Sequence, residues 1–310
     1  MPSQFDSMDG FNLSQTWLTI GVFDGIHRGH QEIIRQLTAG AYANGSPAVL
    51  LTFHPHPALL LSGKTIPLLT TPAERAEILQ QMGMDAVIAL EFTRELADQS
   101  AETFMRRLKQ KLDLKQLLVG HDFALGKNRE GNSERLRQLG SELGYQVKLV
   151  EPLRQDGEII SSTLIRQAIA RGDVRQAAGK LGRFYSLSGL VVPGDGRGRT
   201  IGLPTANIAL PVEKMLPLNG VYAGRALIGG ETRLAVINVG LRPTFNSSDL
   251  IPRVEAHLPD FSGDLYGQTL KLELLDFLRE EKKFANVSEL IAQIQSDIRS
   301  ARDRFQQVPG

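Results

Sequence analysis

His27 and His30 stand three positions apart in the segment GVFDGIHRGH, Gly21 to His30, directly behind the apolar run TWLTI. The loop Asp24-Gly25-Ile26 feeds a helix whose first turn contains His30. Free backbone N–H groups and the positive end of a helix dipole therefore face whatever lies beyond the strand, and the glycines let a ligand come close. Anion binding is the chemistry this favours. Zinc is the competing reading, since the two imidazoles could share a face. Against it, no carboxylate or third histidine stands at a convincing ligand spacing, and the chain has no cysteine. A second helix start repeats the theme: ISSTLIRQAIA puts Ser161, Ser162 and Thr163 at an N-cap, with Arg166 four residues after Ser162. Hydroxyls, orphan amides and a guanidinium together can grip phosphate oxygens. Each segment alone also reads as an ordinary helix cap.

Such residues need a scaffold that brings strand ends together. From residue 16 to about 151, short apolar runs (16–23, 48–53, 85–90, 116–120, 146–151) alternate with amphipathic ones (29–43, 72–82, 101–111, 133–143). Strands separated by helices of this length imply βαβ crossovers and a parallel sheet covered on both faces, a doubly wound α/β domain. In such sheets ligands bind beyond the carboxyl ends of the strands. Five of the six histidines fall there: His27, His30, His54, His56 and His121. After two short helical stretches, 163–170 and 174–181, the pattern changes. The runs SLSGLVV, GVYAGRALI, TRLAVINVG, RVEAHL and QTLKLELLDFL are β-rich and joined by Gly, Pro and Asn turns. They predict a closed antiparallel β-barrel with a C-terminal helix over 287–304 on its outside. The expected division is 1–183 for the α/β domain and 184–310 for the barrel.

Composition narrows the function classes. Net charge is +1 over 310 residues, which offers no broad attraction to nucleic acid or an anionic membrane. No run approaches the apolar length of a membrane span and no secretory signal opens the chain. Without cysteine there is no disulfide or thiolate chemistry. A cytoplasmic protein acting on small molecules, with no nucleic-acid or membrane partner, is expected; a homo-oligomer is left open. Two nucleotide motifs are decoys. ALLLSGKT (58–65) lacks the first glycine of a phosphate loop and follows no strand, and GDGRGR (194–199) has Arg199 where a dinucleotide fingerprint needs glycine.

These residues carry a family likeness. GVFDGIHRGH resembles the signature of the nucleotidylyltransferase superfamily, and GHDFALGKNREG with ISSTLIR is similar to its flavin adenylyltransferase branch. GRTIGLPTANI, INVGLRPTF and VEAHLPDFSGDLYG resemble riboflavin kinase. Together they resemble the bacterial bifunctional riboflavin kinase/FAD synthetase over nearly the whole chain. The resemblance implies a nucleotidylyltransferase (Rossmann-like) domain followed by a riboflavin kinase barrel. It also implies two reactions: riboflavin and ATP give FMN and ADP, then FMN and ATP give FAD and pyrophosphate. It implies ATP binding in the first half by Gly21, Phe23, Asp24, His27, His30, Ser161, Ser162, Thr163 and Arg166, with His27 and His30 stabilising charge at the α-phosphate. Asp122 is the implied residue for handling FMN or Mg²⁺. In the second half Glu255 is the implied base, with Gly196, Gly198, Arg199, Thr205 and Asn207 on ATP. Thr205 and Asn207 alternate, so in an extended strand both point to one side. They offer hard oxygens to a Mg²⁺ carried by the nucleotide. Leu203, Leu125 and Pro193 depart from the family's usual residues. Three alternatives remain at this point: a monofunctional adenylyltransferase with a regulatory barrel, a nonenzymatic RNA-binding protein, and a related transferase acting on pantetheine or nicotinamide phosphate.

Overall fold

The computed structural model describes residues 3–5, 13–194, 196, 198, 201–244 and 247–308. By contacts the chain divides into two units, Met1–Ser162 and Thr163–Gly310.

The first unit is built on a six-stranded sheet. Its strands are β1 (Ser3–Phe5), β2 (Thr16–Ile20), β3 (Ala48–His54), β4 (Ala86–Glu91), β5 (Leu114–Gly120) and β6 (Gln146–Val150). Every pairing is parallel and the order is β1-β4-β3-β2-β5-β6. The chain winds outward from β2 through β3 to β4 and then returns to β5 on the other side of β2. The order therefore reverses between β2 and β5, where a ligand crevice opens beyond the strand ends. The crossovers contain α1 (Arg28–Ala43), α2 (Pro57–Ser62), α3 (Pro72–Gln81), α4 (Arg94–Asp98), α5 (Ala101–Leu112) and α6 (Ser133–Leu143).

The strands read as unbroken apolar runs because both faces are covered. Leu18, Val49, Leu51 and Leu117 pack with Phe104, Met105 and Leu108 of α5 on one side. On the other, Leu50 and Leu118 meet Ile34, Leu37 and Ala41 of α1. Burying each such Leu or Ile contributes about 1.5–3 kcal/mol, so each helix is fixed by its apolar stripe. Its start is fixed by capping. Thr71 and Glu74 form a reciprocal capping box at α3, the Thr71 side chain accepting from the Glu74 amide and Glu74 accepting from the Thr71 amide.

Several elements were not expected. β1 lies outside every predicted run, and the phosphate-loop decoy folds as the short helix α2, capped by His56 and stopped by Gly63 at φ 64°. α4 and the small ribbon β7 (Arg154–Gln155) with β8 (Glu158–Ile159) are also additions.

The next helix, α7 (Ser162–Ala170), begins on the last residue of the first unit, and α8 (Val174–Leu181) follows. The second unit's strands are β9 (Tyr185–Val192), β10 (Thr205–Ala209), β11 (Gly220–Ile228), β12 (Glu231–Thr244), β13 (Ser247–His257) and β14 (Thr269–Arg279). They close an antiparallel barrel in the order β10-β13-β12-β11-β14-β9, as the β-rich grammar predicts. Leu187, Tyr222, Ile237, Ala256 and Leu272 are fully buried along the paired strands. α9 (Val287–Gln306) packs on β11, β12 and β14. It buries Ala301 against Val221, Ala223, Leu234 and Val236. Arg279 at the end of β14 holds α9 through a bidentate pair with the buried Asp297, at 3.0 and 2.7 Å.

Candidate functional site

A cleft of about 680 Å³ opens at the ends of β2 and β5. The segment leaving β2 turns through left-handed backbone at Phe23 (φ 51°), Gly25 (φ 81°) and Ile26 (φ 38°). For Phe and β-branched Ile this costs on the order of 1–3 kcal/mol each, so surrounding structure must hold it. A buried polar brace does so. The Asp24 carboxylate, 2% exposed, accepts from the amides of Leu69 and Thr70 at 3.0 Å each. The Thr70 hydroxyl receives the Gly25 amide at 2.9 Å. The buried Arg75 guanidinium donates to the Val22 carbonyl at 2.9 Å and lies 4.0 Å from Asp24.

This brace presents the two imidazoles. His27 caps α1, its Nδ1 accepting from the His30 amide at 3.3 Å. The rings stack at 3.6 Å between centroids, 18° from parallel, with Phe23 4.9 Å from His30. Gly29 leaves room beside the stack: a Cβ there would sit 3.1 Å from His27 Cε1 and press on that ring. Burial, then His27, then Arg75 push the His30 pKa well below its ordinary value, so that ring is neutral near pH 7. Its Nδ1 has no hydrogen-bond partner among the described residues.

Gly21, Phe23, His27, His30, Asp122, Ser161 and Ser162 all line this cleft, and the Ser162 hydroxyl donates to the Asp24 carbonyl at 2.9 Å. Asp24 does not line it and lies beneath the loop. Thr163 and Arg166 continue α7 in the second unit. Asp122 is exposed; its carbonyl accepts from Arg129 at 2.9 Å. Of the five strand-end histidines, His27, His30 and His121 face the cleft, whereas His56 caps α2 and, like His54, is not part of the lining. Sequence reasoning missed the opposite wall. Phe53 and Phe92 stand edge to face at 5.4 Å, and Phe123 joins them. Phe53 occupies a strand end, where an aromatic residue need not be core.

A second cleft, about 620 Å³, lies on the barrel's outer face beside α9. Register explains its floor. Glu255 of β13 pairs directly with Asn207 of β10 and Asn238 of β12, while the buried Val254 and Ala256 point the other way. Thr205 and Asn207 thus share the Glu255 face. Gly196, Gly198, Thr205 and Glu255 line the cleft; Arg199 lies outside the described residues. Asn207 sits behind Arg253, its Oδ1 accepting from Nε and Nη2 at 3.1 and 3.0 Å, and Arg253 also forms an ion pair with Glu255. His257 Nδ1 donates to the Pro204 carbonyl at 2.8 Å, fixing the start of β10. Glu281 accepts from Asn238 at 3.2 Å. Among the described residues no group of three or more His, Asp or Glu could hold a metal alone. The neutral oxygens of Thr205 and Asn207 suit a hard cation that brings phosphate ligands with it. Arg253 and Glu281 were missed because their place depends on partners about forty residues away or more.

Two family models divide most of the chain between them. A family model described as FAD synthetase matches residues 11–164 and one described as riboflavin kinase matches residues 181–305. A Listeria monocytogenes protein named bifunctional riboflavin kinase/FMN adenylyltransferase is 34% identical over 93% of this chain and 92% of its own length. An Escherichia coli protein of the same name is 38% identical over 93% and 92%. A solved Streptococcus pneumoniae structure, described as a macrolide-efflux protein, shares 32% identity with a TM-score of 0.88, covering 96% of this chain and 98% of that one. No helix among the described residues is long and apolar enough to cross a membrane.

Proposed function

Since the chain belongs to the bifunctional riboflavin kinase/FMN adenylyltransferase family, we propose that its two clefts divide the family's reactions between them. The enzyme phosphorylates riboflavin to FMN and adenylylates FMN to FAD. The assignment of residues rests chiefly on the stacked His27–His30 pair at the start of α1.

In the first cleft an FMN phosphate oxygen attacks the α-phosphorus of ATP; the bond to the β-phosphate oxygen breaks and pyrophosphate leaves. The nucleophile is already ionised, so catalysis is alignment and neutralisation of charge growing on α-phosphate and pyrophosphate oxygens. His27 and His30 supply ring N–H groups there, beside Gly21 and Phe23, with Asp24 bracing the loop. On the strength of the motif ISSTLIR, Ser161, Ser162, Thr163 and Arg166 hold the leaving pyrophosphate. Asp122 and the apolar wall of Phe53, Phe92 and Phe123 take FMN. The functional half so defined runs over 1–183.

In the barrel half, 184–310, the nucleophile is a neutral ribityl hydroxyl. Glu255 takes its proton as the oxygen bonds to the γ-phosphorus, and ADP leaves. Thr205 and Asn207 would hold the Mg²⁺ that comes with ATP, which would offset charge on the phosphates beside Gly196 and Gly198; by the family motif Arg199 would add a guanidinium to them. A cytoplasmic enzyme of small molecules, without nucleic-acid or membrane partners, fits the balanced charge and absence of cysteine.

The test is to incubate the protein with riboflavin, ATP and Mg²⁺ and to separate the flavins. Glu255→Gln should lower FMN formation by about 10²–10⁴-fold while FAD formation from supplied FMN survives. Replacing His27 and His30 by Ala should stop the reaction at FMN. Loss of both activities in either variant contradicts separate sites.

A further inference from the structure

We propose that Arg253 is a resident cation that occupies the kinase's metal position while no nucleotide is bound, and that metal–nucleotide must displace it. The proposal rests on the reading of Asn207 as a metal contact and Glu255 as the base.

Arg253 precedes Glu255 by two residues on β13, so the two side chains rise from the same face. One guanidinium serves both of the oxygens to which the mechanism gives separate duties. Its Nε and Nη2 converge on Asn207 Oδ1 at 3.1 and 3.0 Å, and Nη2 also pairs with Glu255 Oε1. An amide oxygen has two lone pairs, and this one already accepts from two guanidinium N–H groups. A divalent cation therefore cannot bind that oxygen with the guanidinium in place: the oxygen already accepts two N–H groups and the two positive charges would repel at contact distance. Movement is feasible. The Arg253 side chain keeps 28% of its surface exposed and Glu255 21%, at the open side of the cleft, and a guanidinium on a flexible stem can withdraw without disturbing the barrel core.

Until ATP comes, the guanidinium keeps the base and the metal contact at their working separation. It also offsets the charge of Glu255, which shares the cleft with Glu281 across Asn238. Arg253 is thus a positioning residue, and removing it should create a cation site that the wild-type protein lacks.

Mn²⁺ alone, titrated into the full-length protein without nucleotide and followed by the paramagnetic resonance of the free ion, tests this. Arg253→Met keeps the stem and removes the charge; it should bind Mn²⁺ at least about tenfold more tightly than wild type, equivalent to 1.4 kcal/mol. Arg253→Lys, whose ammonium cannot fork across both oxygens, should fall between. Circular dichroism and melting establish that each variant is folded; should Arg253→Met not fold, Arg253→Gln replaces it with the same expectation. Unchanged Mn²⁺ affinity in the folded neutral variant overturns the proposal. Asn207→Ala separates the two layers. If the Arg253→Met gain persists in Arg253→Met/Asn207→Ala, Asn207 is not the metal contact and the underlying reading falls. If the double variant loses the gain, both stand.

Discussion

Replacing Asp24 by Asn probes whether the strained loop in the first cleft is held from beneath. The carboxylate accepts from two amides at 3.0 Å and from the Thr70 hydroxyl at 3.3 Å, and it faces a buried guanidinium 4.0 Å away. Asn keeps one acceptor oxygen, turns an NH₂ toward a backbone N–H and leaves Arg75 without its counter-charge. Breaking one side of a buried ion pair costs about 3–5 kcal/mol. At roughly 2–4 °C per kcal/mol for a unit of this size, that is a fall of about 6–20 °C in the midpoint. The assay is residual activity after brief heating. FAD formation from FMN should fail at the lower temperature, while riboflavin phosphorylation, housed in the other unit, keeps the wild-type profile. If FAD formation in the variant resists heat like wild type and only ATP affinity is lost, Asp24 works by touching the nucleotide and the brace reasoning is refuted.

Other perturbations give equally separable outcomes. His30 has a folded pKa below the unfolded value of about 6.5, so its contribution to stability is whole above that pH and is lost as pH falls toward the depressed folded value. His30→Gln should therefore flatten the decline of the first unit's melting midpoint below about pH 6.5. A Cβ at Gly40 would lie 2.1 Å from Trp17 Cζ3, so Gly40→Ala should destabilise by about 1–3 kcal/mol, read by emission from the chain's single tryptophan. At Gly198 a Cβ would come 2.3 Å from the Leu203 carbonyl; Gly198→Ala should depress riboflavin phosphorylation and spare FAD formation in the two-flavin assay.

What could be read from the chain was whatever local chemistry decides. α6 and α8 fall on the expected residues because Asn132 and Asp173 cap them and Gly144 and Gly182 end them in the left-handed conformation. β11 matches residue for residue. The imidazole pair was legible because its spacing and its neighbouring glycines are local. β10 also reads as a turn; its extended form comes from pairing with β9 and β13. The brace was likewise hidden: Thr70 lies about 46 residues from Asp24 and Arg75 53 from Val22, and nothing in either segment announces the other. The phenylalanine wall was hidden differently, since a Phe at a strand end looks the same whether it fills a core or faces a ligand.

The helix cap at α1 settles a proton. Because His27 Nδ1 receives the His30 amide, its neutral ring must carry hydrogen on Nε2. That nitrogen is a donor and cannot deprotonate anything, which suits a reaction whose attacking phosphate has no proton to surrender. A proton on Nδ1 would unfasten the first turn of the helix, so the ring we propose for the nucleotide and the peg that starts the helix are one group.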